Sequence, residues 1–475
     1  MRCLLLTWLF SIGTIIATVR AASIPVLTPS QDSFYEPPPG YENTTVGTVL
    51  KIRKPPHRLR SIYFPMNVKD SWQILVRSSD AKGNPTTIAS TIIEPYNADP
   101  KKLVSYQTAE DSASPDCAPS YAFLEGASMS TVVTQLESIL IQGALDQGWF
   151  VVTPDYEGPR AAFTVGLQAG HGTLDSIRGV LNSRNYTGID KDVKIALWGY
   201  SGGSLASGWA AALQPTYAKE LKPHLIGVAL GGFVTNITAT AVSIEGSLFA
   251  GLSPAAIAGL CNEYPEIRSL ISTELMRKTS FETAFDGCLI NTLLHYTLQP
   301  IFSGVNRYVK SGWKIFDNPA VQKVINANTL GVRKSQMPDI PLFVYHGVSD
   351  TIVPFKNSQQ IYEKWCSAGI KSFEFAVDKT TGHISEAVIG SPAALAWLKN
   401  RFDGKKVVDG CQRTERVNNL EYPGTNSTIA EIISEAIISI FGGDIGPNGE
   451  NLAVESSSKG RKLVRRSDVT FSPAV

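Results

Sequence analysis

The 475-residue sequence is short of charge: Asp, Glu, Lys and Arg make up 18% of it and the net charge is +1. A chain this close to neutrality has no global field to recruit nucleic acid or to hold an anionic membrane surface. It also lacks any set of His, Cys and carboxylates at metal-ligand spacing, so neither a metal nor an organic cofactor is expected. Internal repeats and low-complexity tracts are missing, which excludes solenoids and fibrous arrays.

What is there is an ordinary globular composition, 43% hydrophobic, long enough for one large α/β domain with insertions. At the N-terminus one early Arg precedes an apolar run from Cys3 to Val19 and then small residues at Ala21 to Ser23. Residues 1–22 therefore read as a secretory signal peptide; the alternative is a membrane anchor of borderline length. Four Asn-x-Ser/Thr sequons, at Asn43, Asn185, Asn236 and Asn426, fit export and glycosylation. Without Cys3, five cysteines remain, Cys117, Cys261, Cys288, Cys366 and Cys411, and the odd count leaves at least one outside any internal disulfide.

Residues 24–60 are Pro-rich and aperiodic, and read as an extended arm. Beyond them strand-length apolar runs (WQILVRSSD, TIASTIIEP, KLVSYQT, WFVVTPDY, KIALWGY, HLIGVALGG, PLFVYHG, KSFEFAVD) alternate from residue 100 with helical patterns. That alternation predicts a mainly parallel central sheet flanked by helices, with the first two runs pairing antiparallel. Between residues 233 and 338 only helical patterns occur, so a helical cap is expected there. It divides a core of residues 23–232 and 339–441, and residues 442–475 are expected to form a disordered tail.

The stretch Gly199-Tyr200-Ser201-Gly202-Gly203 follows an apolar strand and opens a helix. In that context G-x-S-x-G is a nucleophile elbow, in which a sharp bend lifts the serine hydroxyl above the sheet edge and leaves room for small residues alone. Serine at neutral pH needs a base and an orienting acid, which in this arrangement follow in the order Ser, Asp or Glu, His. Of the later histidines, His224 starts a strand, His295 falls in the cap and His346 ends a strand with no acid ahead of it outside the cap. His383 lies in a glycine-flanked loop after SFEFAVD and is the expected base. Asp350, 33 residues earlier at a strand end, is the expected acid, with Asp378 as rival. The oxyanion donors would be the backbone N–H of Gly202 and one from the loop TAEDSASPDC, where Asp111 is the candidate; His-Gly-Gly-Gly, frequent at that place in lipases, is missing.

Together the pieces SYQTAEDSASPDCAPSYAF, WFVVTPDYEGPRAAFTVGLQAGHGTLDSIRG, GYSGG, YHGVSDTIVPF and the GH of KTTGHISEA resemble fungal secretory lipases of the lipase-A type, over roughly residues 100–400. The resemblance implies an α/β-hydrolase fold with a helical cap and hydrolysis of triacylglycerols or related esters. It implies a Ser201, Asp350 and His383 triad, an oxyanion hole of Asp111 and Gly202, and no cofactor. It further implies disulfides Cys117–Cys288 and Cys366–Cys411, leaving Cys261 spare. The expected setting is a secreted monomer meeting lipid esters at an oil–water interface, without stable membrane insertion. A short-chain carboxylesterase or serine peptidase on the same fold is the nearest alternative, and a catalytically idle binding protein the more distant one.

Overall fold

In the computed structural model, residues 26–60, 66–96, 98–333 and 335–425 are described. The signal-peptide and tail expectations, and the Asn426 sequon, lie outside them.

Among the described residues ten strands form one sheet. They are β1 (Val49–Arg53), β2 (Asp70–Ser79), β3 (Pro85–Glu94), β4 (Asp99–Gln107), β5 (Trp149–Pro154), β6 (Lys194–Tyr200), β7 (Leu225–Gly231), β8 (Leu342–Gly347), β9 (Ser372–Asp378) and β10 (Gly410–Arg416). Their order is β1-β2-β3-β5-β4-β6-β7-β8-β9-β10. The pairs β1–β2, β2–β3 and β3–β5 are antiparallel, and every pair from β5 to β10 is parallel. All eight apolar runs are strands, and the first two pair antiparallel as their short connection requires.

The parallel strands are apolar in continuous runs because both faces are covered. Along β6, Ile195 and Leu197 join the core under helices α1 (Gly166–Asn182) and α2 (Gly202–Tyr217). The alternate residues Ala196 and Trp198 join a second core on the opposite face. Two strands had no apolar signature. β1 falls inside the Pro-rich arm and is only half-buried, so the arm is not wholly irregular. β10, with sequence GCQRTER, is an exposed edge strand with charges along it, which protects an open edge but erases the hydrophobic period.

Between β7 and β8 the chain runs through α3 (Ile237–Ile244), α4 (Leu252–Glu263), Pro265–Glu274, Leu289–Tyr296 and Pro319–Ala327, with shorter turns and a single isolated bridge between Leu275 and Val309. No helix among the described residues is long and apolar enough to cross a membrane.

Among the described residues there are two disulfides, Cys117–Cys288 and Cys366–Cys411, and Cys261 is free and buried. Burial pushes the Cys261 thiol up to about 12, so it stays a protonated, apolar side chain. Cys117–Cys288 joins the turn after β4 to the start of helix Leu289–Tyr296 across 171 residues of sequence. A cross-link over so long a loop restricts the unfolded chain strongly. Replacing both cysteines by serine is expected to lower stability by about 4 kcal/mol. Scanning calorimetry should show a fall of roughly 5 °C in the melting midpoint; an unchanged midpoint would mean the tether constrains nothing.

Candidate active site

The elbow explains itself atom by atom. Ser201 has φ +51° and ψ −120°, a conformation an L-residue holds only where its surroundings enforce it. A Cβ on Gly203 would lie 1.9 Å from the Gln107 carbonyl oxygen, and one on Gly199 would lie 2.2 Å from that of Gly203. Both positions therefore exclude any side chain. Tyr200 donates its hydroxyl proton to the backbone oxygen of His383 at 2.6 Å, tying the elbow to the loop that carries the imidazole.

His383 opens α5 (His383–Ile389), and its Nε2 lies 2.8 Å from Ser201 Oγ. Its Nδ1 lies 2.6 Å from Asp350 Oδ2. Asp350 Oδ1 accepts the backbone N–H groups of Ile352 (2.9 Å) and Val353 (2.7 Å). Burial alone would push this carboxyl up, but hydrogen bonds from His346 and His383 outweigh it and hold Asp350 well below the usual carboxylate range. The rival Asp378 sits elsewhere: it accepts N–H groups of Thr380, Thr381 and Asn419, and so shapes the loop leading to His383. His224 is bound to the Val193 carbonyl and His295 to Ser280.

Asp111 also takes a left-handed backbone, at φ +48°. Its carboxyl lies against Gly202: a Cβ there would come within 1.8 Å of Asp111 Oδ1. Gly202 is the first residue of α2, where N–H groups have no helical acceptor and the helix dipole is positive. Ser201, Gly202 and Asp111 line one cavity, of about 480 Å³, whose other walls are mostly apolar, among them Phe163, Leu205 and Val234. A second cavity of about 560 Å³ lies among the helices between β7 and β8. Ile237, Ala241, Ser253 and Ala256 line both.

Two features escaped the sequence reading. One is His346, rejected as a base and found with Nε2 3.0 Å from Asp350 Oδ2 on the far side from the serine. The other is a group of buried carboxyls around the loop after β4. Burial pushes Asp111 and Asp155 up to about 7 and Glu137 to about 8. It also holds Glu110 and Glu157 well above the usual carboxylate range. Neither has a motif, because each arises from residues that only the fold brings together. Among the sequons, Asn43 and Asn185 are exposed, whereas Asn236 is half-buried and its side chain caps α3 by accepting the Ala239 N–H. Among the described residues no three His, Cys, Asp or Glu side chains are grouped so as to hold a metal ion.

Comparison with known proteins gives the family and the fold. The sequence pattern of the family described as secretory lipase matches residues 124–410. The chain is 49% identical to Lipase 1 of Candida albicans over 435 residues, 91% of this chain and 93% of that protein. It is 38% identical to Lipase A of Arthroderma benhamiae over 427 residues, 88% and 89% of the two chains. Among solved structures it is similar to Candida antarctica lipase A, with TM-score 0.76 and 27% identity over 87% of this chain and 95% of that one. A cell-wall-degrading esterase from Xanthomonas oryzae, at 18% identity and TM-score 0.59, shares the fold alone. The fold is thus that of the α/β-hydrolases, and the chain belongs to the secretory lipase family.

Proposed function

We propose that this lipase is a secreted triacylglycerol hydrolase working through a Ser201–His383–Asp350 triad and an acyl-enzyme. The observation that carries the reading is the unbroken relay from Ser201 Oγ to His383 Nε2 (2.8 Å) and from His383 Nδ1 to Asp350 Oδ2 (2.6 Å). His383 takes the Ser201 proton as Oγ attacks the ester carbonyl. The N–H groups of Gly202 and Asp111 stabilise the oxyanion, and His383 then protonates the leaving alcohol. Water, deprotonated by the same imidazole, releases the fatty acid. Asp350 stays ionised throughout and stabilises the imidazolium.

The paired cavities support a long acyl chain as the group transferred. They adjoin at Ala241 and Ala256, so a chain that starts at Ser201 and passes these small side chains would enter the helices between β7 and β8. Ala256→Phe is expected to lower kcat/KM for palmitate esters at least tenfold while leaving butyrate esters nearly unchanged, since only the long chain needs the second cavity. Equal losses on both would remove the acyl path from the reading.

The function itself is tested by p-nitrophenyl esters from acetate to palmitate beside an emulsified triacylglycerol, with wild type and Ser201→Ala. Cleavage of the long esters and the emulsion by wild type alone is the expected result. Activity restricted to acetate and butyrate would make the protein a carboxylesterase, and a folded, inactive wild type would remove Ser201 from the mechanism.

A further inference from the structure

The Asp350 carboxylate lies between two imidazoles. His383 approaches Oδ2 from the serine side at 2.6 Å, and His346, which is fully buried, approaches the same oxygen from within the core at 3.0 Å. The surroundings of His346 fix its tautomer. Phe233 donates its backbone N–H to Nδ1 at 3.3 Å, so that nitrogen is an acceptor and the proton sits on Nε2. The Nε2–H is shared between the Val353 carbonyl oxygen, also 3.0 Å away, and the carboxylate beside it. Val353 in turn donates its N–H to Asp350 Oδ1. One imidazole thus touches Asp350 at Oδ2 and holds the residue that binds Oδ1.

The ring has no freedom to turn away. Ser358 shares its hydroxyl proton between Nδ1 at 2.9 Å and the Phe233 carbonyl oxygen at 3.0 Å, while Phe355 packs edge-on at 5.8 Å between ring centroids. A merely space-filling residue at this depth would be apolar. An imidazole with every polar atom engaged, and engaged with the loop of the triad acid, is a device for orientation.

We propose that His346 is a positioning residue for ester hydrolysis: it clamps the Asp350 carboxylate and its loop in the rotamer that aligns His383 with Ser201. The proposal rests on the triad reading above. It places three elements behind the reacting serine, since Phe233 follows β7, His346 ends β8 and Ser358 lies in the helix Phe355–Ser367.

The test compares His346→Leu, His346→Gln and Ser358→Ala with Asp350→Ala, using kcat and KM on p-nitrophenyl butyrate. An organophosphonate serves as active-site titrant, melting is followed by calorimetry, and the low-field proton resonance of the His383–Asp350 hydrogen bond is followed by NMR. His346→Leu is expected to lower kcat roughly 10–100-fold per titrated site with KM unchanged. It should also displace or abolish the low-field resonance. His346→Gln, which keeps an N–H donor, should recover most of kcat and the resonance, and Ser358→Ala should give a smaller loss of the same kind. If the Leu and Gln variants lose melting temperature alike but keep wild-type kcat and resonance, His346 is structural and the proposal falls. If His346→Leu does not fold, Ser358→Ala at wild-type kcat and resonance overturns it. Should Asp350→Ala itself retain full kcat, the triad reading fails first, and separately.

Discussion

His383→Ala is expected to lower kcat on a soluble ester by a factor on the order of 10⁵–10⁶, with KM changed little. The loss is this large because, in the proposed mechanism, the imidazole acts in both half-reactions and is the base held 2.8 Å from Ser201 Oγ, whereas the Asp111 carboxyl, pushed by burial to about 7, lies against Gly202. KM should hold because the cavity walls proposed to meet the acyl chain, Phe163, Leu205 and Ile237 among them, are untouched. Asp350→Asn should cost about 10⁴ in kcat, since an amide can hold the ring but favours the wrong tautomer. The Ser201→Ala, His383→Ala double variant should be no slower than either single one, because the residues act as a unit. Single-turnover kinetics on titrated, folded enzyme measure all three; His383→Ala with more than about a hundredth of wild-type kcat would remove the imidazole from the relay.

The elbow and its partners were legible because each has a local cause. The bend at Ser201 leaves no space at Gly199 and Gly203, and the spacing of successive strand-helix units set Asp350 ahead of His383. Apolar runs gave the eight covered strands for the same reason: burial on both faces leaves a continuous signal. β1 and β10 have only half-buried or exposed positions, so their sequence carries no such record. In sequence His346 is a strand-end residue with no acid ahead of it outside the cap. Its partner Asp350 comes four residues later, on the turn, so an order rule built for the base passed over a residue that serves the acid. The Tyr200 hydroxyl bond to the His383 carbonyl spans 183 residues and has no signature at either end.

The buried carboxyls make the second large prediction, and it runs against the habit of most proteins. Asp111, Asp155 and Glu137 have folded-state values of about 7, 7 and 8, and Glu386 about 8, each raised chiefly by burial. In the unfolded chain such groups ionise near 4. Between those limits the folded state binds more protons than the unfolded one, so stability is present at low pH and is lost as pH rises through about 7 to 8. A rise of about three units in one such group corresponds to about 4 kcal/mol, and water reaching the site lowers that figure without changing its sign. Asp350, Asp378 and Asp80 work in the opposite sense: their hydrogen bonds hold them below the usual range, so their contribution is lost as pH falls below about 4. With the unfolded carboxyls all ionising near 4, the two limbs place the stability maximum near pH 4. Calorimetric midpoints taken from pH 3 to 9 should therefore peak on the acid side of neutrality and drop by 10 °C or more, roughly, between pH 5 and pH 8.5. Glu137→Gln keeps a neutral partner for the Tyr106 hydroxyl and the Ala109 N–H, and should flatten the alkaline limb. A midpoint that rises steadily to pH 8 would show these carboxyls to be ionised in the folded protein. In that case the wall of charge beside Asp111 would oppose an oxyanion at Gly202, so the same titration bears on how the site stabilises its intermediate.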